Sequence, residues 1–290
     1  MPELPDLAIV ADALHAALAG RPIVRAEAPA PLALRGTPAE LAALVGQQLR
    51  EVRRRGKFIR LELDRDRILV NAMLTGRFQL AAPGDKRPAS TAVVLAFGAR
   101  ARVPRDAAPW TRGAAWLPAN DAEAEIRYRD PSQMGKVYLV PAGVARAVPG
   151  LEDDQGPDAD ALDLTVDVWR QRVRRHPGEL KSLLRNQAFV AGIGNAYSDE
   201  ILHAAKLSPM RRRSSLAPEE VDALYTATRS TLGNAIGILR ERVPPTFERQ
   251  VRDFLAVHLR GGEACPRCGT RLTQISSRGE VTTWCRGCQR

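Results

Sequence analysis

The sequence predicts a multidomain α+β protein: an N-terminal helix joined to a β-sandwich, then a helical domain, then a small cysteine-bearing unit at the C-terminal end. Three observations carry this expectation. One helix-like segment precedes a long stretch of short alternating runs. The texture turns helical beyond Leu164. All four cysteines lie between Cys265 and Cys288, in paired C-x-x-C turns. A chain of 290 residues accommodates about two domains at roughly 150 residues each. The hydrophobic share of 44% supports a real core, and an aromatic share of 5% makes that core largely Leu, Val, Ile and Ala.

The first helix is expected over Asp6–Ala19. Pro5 suits a helix start, Asp6 complements the positive helix end, and Gly20 suits the stop. From Val24 to Val140 short alternating runs recur, such as Phe58–Leu63 and Thr91–Phe97, separated by turn-rich pieces like Ala82–Asp85. That spacing predicts strands of a sandwich or barrel. The expected boundaries are residues 1–140 for this domain, 141–163 for a Pro-, Gly-, Asp- and Ala-rich linker, 164–260 for the helical domain and 261–290 for the cysteine unit. Helices are expected over Val166–Arg175, Glu179–Gln187, Ala196–Ala205, Pro218–Leu239 and Phe247–Leu259.

The net charge of +10 suggests a polyanionic partner without naming it. No run of about 18 apolar residues exists, so no membrane span is expected. The start Met-Pro-Glu-Leu-Pro-Asp lacks the basic-then-apolar order of a signal peptide, which predicts a cytoplasmic protein. In a reducing compartment Cys265, Cys268, Cys285 and Cys288 suit one structural Zn²⁺, with two disulfides as the alternative. The connecting residues would form a hairpin, with strands Arg271–Ile275 and Val281–Trp284 around a turn at Ser276–Glu280. Four thiolates leave no open coordination position, so such a zinc would not be catalytic.

Gly192 and Gly194 sit between two helical segments and permit a tight reversal. Asn195 stands at a cap position, and free backbone N–H groups at the next helix start would suit a phosphate. An ordinary helical hairpin packed on glycines reads equally well. Arg211-Arg212-Arg213 is either a phosphate-binding run or a solvated one. If Met1 is removed, Pro2 carries a free secondary amine able to attack an aldehyde carbon, with the Glu3 carboxyl beside it for proton transfer. The same residues also read simply as a helix start.

Four separated pieces then resemble one family. Met1-Pro2-Glu3-Leu4-Pro5, Arg54-Arg55-Gly56-Lys57-Phe58, the stretch Asn186–Glu200 and the C-terminal cysteine ribbon resemble, in order and rough spacing, the formamidopyrimidine-DNA glycosylase / endonuclease VIII family. The resemblance spans nearly the whole chain. It implies a helix–two-turn–helix domain around Gly192, Gly194 and Asn195, and a C-terminal zinc ribbon. It implies a bifunctional base-excision enzyme acting as a monomer on oxidised bases in damaged double-stranded DNA. Pro2 would attack the sugar C1′, and Glu3 would move a proton at the sugar. Lys57 and Asn195 would hold backbone phosphates around a nucleotide extruded from the stack. Leu74, in a Leu-Thr-Gly segment where the family has Met-Ser-Gly, would be the wedge, and Met134, in the place of the family's aromatic, would be a further DNA-contacting residue of that void-filling set.

Some positions depart from the family pattern. Asp6 stands for Glu, and Asp130-Pro131-Ser132-Gln133-Met134-Gly135 lacks the family's arginines and aromatic. Glu280 falls where an arginine reaches DNA, a repulsive placement unless Arg278 supplies the charge. Residues 244–259 read as continuing helix rather than a long Gly-rich loop. These departures leave room for a lesion-binding protein without base release, and a zinc-ribbon transcription factor is a third reading.

Overall fold

The computed structural model describes residues 1–151, 155–277 and 279–290. They form two compact units. The first comprises Met1–Pro2, Asp6–Pro149 and Ile238–Gln250; the second comprises Glu3–Pro5, Gly150–Gly237 and Val251–Arg290.

Helix α1 (Leu4–Leu18), in the first unit from Asp6 onward, is apolar nearly all round, with Leu7, Ile9, Ala13, Leu14, Ala16, Ala17 and Leu18 at 1% exposure or less. A helix hydrophobic on every face belongs inside a core. Its C-terminal carbonyls would be orphaned there. Two buried arginines satisfy them: Arg21 Nε donates to Ala17 O at 3.0 Å, and Arg100 donates to Ala16 O and Ala19 O, each at 2.8 Å. The cations also complement the negative helix end.

Strands β1 (Ile23–Glu27), β2 (Leu34–Arg35), β3 (Leu49–Arg55), β4 (Phe58–Leu63), β5 (Arg67–Asn71), β6 (Arg77–Ala81), β7 (Thr91–Phe97), β8 (Ala124–Arg129) and β9 (Lys136–Val140) follow, with short helix α2 (Pro38–Ala42) before β3. They build a four-stranded sheet in the order β1-β7-β8-β6 and a five-stranded sheet in the order β2-β9-β5-β4-β3. Strand β4 alternates as a half-buried strand should, whereas β7 is buried along its whole length.

The second unit holds α3 (Val166–Arg175), α4 (Leu180–Arg185), α5 (Asn195–Ala205) and the larger part of α6 (Pro218–Arg242), followed by the hairpin β10 (Thr273–Ser277) and β11 (Glu280–Trp284). Its core gathers Trp169, Leu180, Leu184, Phe189, Ile193, Tyr197 and Leu224. No helix among the described residues is long and apolar enough to cross a membrane.

Three expectations need correction. Residues 141–163 are not a spacer throughout: Ala159 is fully buried, its N–H donates to Ala191 O at 3.0 Å, and Ala191 N–H donates to Pro157 O at 2.8 Å. Residues 247–259 are turns, not helix. Phe247, Val251 and Leu255 imitate a helical period, but the first belongs to one unit and the others to its neighbour. The Glu200 carboxylate captures the N–H groups of Ala256, Val257 and His258 at 2.8–2.9 Å, and Pro244 and Pro245 have none to give. The ribbon strands also lie about two residues later on the first strand than expected, with Ser277 paired to Glu280.

Candidate functional site

The second unit carries Glu3. Its side chain is 3% exposed and accepts backbone N–H bonds from Gly194 (2.6 Å), Ala196 (2.9 Å) and Tyr197 (3.3 Å). These are donors that the start of α5 leaves without helical partners. A carboxylate there also meets the positive helix end. The phosphate cradle expected from the sequence is therefore filled by the protein's own carboxylate. Gly194, not Asn195, is the cap residue, and Asn195 is the first residue of α5.

The glycines explain themselves at this point. A Cβ on Gly194 would lie 2.5 Å from Glu3 Cδ, and one on Gly192 would lie 2.8 Å from Leu4. Gly192 also has φ +102°, a conformation that L side chains rarely adopt. Leu4 N–H donates to Gly192 O at 3.0 Å, so the glycine hairpin grips the residues at the chain start.

Asn195 is half-buried, and its Nδ2 donates to Val281 O at 2.9 Å. Lys181 Nζ donates to the same carbonyl (2.9 Å) and to Asp199 (2.6 Å). Burial pushes the Lys181 ammonium down in pKa, against the opposing pull of Asp199. Glu280 forms a bidentate pair with Arg185, which neutralises the carboxylate that the sequence set against phosphate. Arg211 is likewise taken up by both oxygens of Glu220. Arg278 lies outside the described residues.

The four cysteine sulfurs lie within 4.8 Å of one another, with Cys268–Cys285 at 3.4 Å and Cys265–Cys288 at 3.9 Å. None of these separations approaches the roughly 2.05 Å of a disulfide. They bracket the ~3.8 Å edge of a tetrahedron with metal–sulfur bonds of about 2.3 Å. The set can hold one metal ion.

The first unit carries Pro2, which is buried and lines a small pocket with Asp6, Arg77, Phe78, Phe247, Arg249 and Gln250. Lys57 occupies the tight turn between β3 and β4, where Gly56 adopts φ +54°, and is half-buried. Leu74 (52% exposed) and Met134 (44% exposed) stand on two loops tied together by one carboxylate. Thr75 Oγ1 donates to Asp130, as do Gly135 N–H (2.7 Å) and Ser132 Oγ (3.0 Å). Burial alone would raise the Asp130 carboxyl, but these donors outweigh it and hold it below the usual carboxylate range. A Cβ on Gly76 or on Gly135 would overlap the Tyr128 hydroxyl, so both loops close on Tyr128 only as glycines.

The Asp130 clamp and the pocket wall at Phe247 and Gln250 escaped the sequence reading. Pro244-Pro245 was the available signal that no helix covers the latter.

With this geometry in hand, comparison decides the family. Models of the formamidopyrimidine-DNA glycosylase N-terminal domain and of its H2TH domain match residues 1–137 and 155–243. The chain belongs to the formamidopyrimidine-DNA glycosylase family. It is a DNA glycosylase/lyase of base-excision repair. The formamidopyrimidine-DNA glycosylase of Symbiobacterium thermophilum is 31% identical, over 100% of this chain and 89% of its own. That of Herpetosiphon aurantiacus is 30% identical, over 100% of both. A crystal structure of the Lactococcus lactis formamidopyrimidine-DNA glycosylase, non-covalently bound to DNA containing an AP site, superposes with a TM-score of 0.79 at 25% identity over 99% of each chain.

Proposed function

We propose that this enzyme removes oxidised bases from double-stranded DNA and cleaves the resulting abasic site by β,δ-elimination, with Pro2 as nucleophile. The observation that carries this reading is the cradling of the Glu3 carboxylate at the start of α5, next along the chain from a proline that lines a pocket. Such fixed placement suits a proton-transfer group.

After removal of Met1, the Pro2 nitrogen bonds to C1′ as the glycosidic bond breaks and its electrons leave with the base. The Glu3 carboxylate takes the N–H proton that the bonded amine gives up and delivers it to the sugar ring oxygen; the ring opens, and the nitrogen lone pair forms the iminium. The iminium acidifies the C2′ hydrogen. Loss of that proton expels the 3′ phosphate, and a second elimination expels the 5′ phosphate. Lys57 and Asn195 hold flanking phosphates as charge and amide donors. Leu74 and Met134 fill the stack vacated by the extruded nucleotide, their loops fixed by Asp130. One Zn²⁺ on Cys265, Cys268, Cys285 and Cys288 would supply structural rigidity to the ribbon and no chemistry. The working enzyme is a cytoplasmic monomer on damaged duplex.

Oligonucleotide duplexes bearing oxidised purines, oxidised pyrimidines or an abasic site test this reading, with Pro2→Gly as control. Cleavage leaving phosphate on both ends, lost in Pro2→Gly, is the expected result. Tight binding to abasic duplex with no cleavage by mature protein would instead establish a lesion-binding protein.

A further inference from the structure

The wall of the Pro2 pocket contains a hydrogen-bond relay. Arg77 Nη2 donates to Gln250 Oε1 at 3.1 Å, and Gln250 Nε2 donates to the Met1 carbonyl at 3.3 Å. Arg77 is itself anchored by donation from Nη1 to Gly76 O at 2.7 Å. The Met1 carbonyl carbon is bonded to the Pro2 nitrogen, which puts its oxygen only ~2.3 Å from that nitrogen by amide geometry. The Gln250 amide thus points to the spot that methionine removal vacates, and the atom uncovered there is the Pro2 amine.

We propose that Gln250, held by Arg77, is a positioning residue that keeps the freed Pro2 amine unprotonated and orients its lone pair. The inference rests on the Pro2 nucleophile reading and deepens it. An amine attacks only through its lone pair. An N–H donated to that lone pair favours the neutral amine, and a nearby guanidinium disfavours a second positive charge. Arg249, from the segment after α6, adds to the positive side of the same pocket. Asp6, from α1, and Glu3, next along the chain, pull the other way. Gln250 is the neutral donor bonded to the Met1 carbonyl, so its identity shifts the balance. It is exposed and outside the hydrophobic core, which makes it replaceable without loss of fold.

The test uses full-length, zinc-loaded protein whose loss of Met1 has been confirmed by mass. The rate of cyanoborohydride-trapped adduct formation on saturating abasic-site duplex is followed against pH. Gln250→Glu replaces the donor with a carboxylate and should move the acid limb of the profile up by about one pH unit. Arg77→Gln should shift it the same way by less. Gln250→Ala should slow trapping at neutral pH by about threefold to tenfold. Identical profiles for the native enzyme and Gln250→Glu, with adducts still on Pro2, would overturn the inference while leaving the nucleophile in place. No adduct from the native enzyme would remove the nucleophile, and this inference with it.

Discussion

Each unit buries one carboxylate behind a pair of glycines, and the two carboxylates are used differently. In the first unit Gly76 and Gly135 let two loops close on Tyr128, and Asp130 ties those loops through Thr75, Ser132 and the Gly135 N–H. In the second, Gly192 and Gly194 admit Leu4 and Glu3, and the Glu3 carboxylate takes backbone donors at the start of α5. Asp130 is bonded on several sides by its own loops and serves as a brace. Glu3 is bonded by the backbone donors at the start of α5 and follows Pro2 directly in the chain. The same glycine device serves scaffold in one place and, under the mechanism proposed above, chemistry in the other. What tells them apart is the neighbour: the Tyr128 hydroxyl in one case, Pro2 in the other.

Substitutions of the glycines should separate the two roles. The largest effect is expected from Gly194→Ala, whose Cβ would lie 2.5 Å from the Glu3 carboxyl carbon. Displacing a proton-transfer group costs about 10²- to 10⁴-fold in rate, so single-turnover cleavage should fall by that order with the ribbon and helices still folded. Gly135→Ala should do the reverse. Its Cβ overlaps the Tyr128 hydroxyl, and the overpacking should lower stability by about 1–3 kcal/mol in denaturant titration, while the rate per folded molecule falls far less than in Gly194→Ala. Equal losses of rate in the two variants would erase the distinction.

A smaller effect belongs to Thr75→Val, which removes one donor from Asp130 and should cost about 1 kcal/mol. The same variant has a pH signature. The Asp130 carboxyl lies below its ordinary value in the folded protein. Its stabilising contribution is therefore complete above the unfolded value of ~3.9 and is lost as pH falls through the lower folded value. Thermal melts of Thr75→Val should show less of this acid-side loss than the native protein.

Much of this was legible in the sequence. The strands at Phe58–Leu63 and Thr91–Phe97 and the helix at Val166–Arg175 are where local pattern put them, because alternation and capping are local properties. The cysteine cluster was legible for the same reason. What escaped was set at long range. No rule of spacing reveals that Glu3 would occupy the α5 start from nearly two hundred residues away, or that Arg185 would neutralise Glu280. The turns over 247–259 were hidden because Glu200 takes their N–H groups, while buried apolar residues at a helix-like spacing imitate a continuing helix.

The central claim is covalent, so the most direct measurement is covalent too. Native enzyme with Met1 removed is trapped on an abasic-site duplex with borohydride, digested, and the sugar-bearing peptide is sequenced by mass spectrometry. The account predicts a reduced deoxyribose remnant on the nitrogen of Pro2. A remnant on a lysine such as Lys57, or efficient strand scission by protein that still carries Met1, would contradict it.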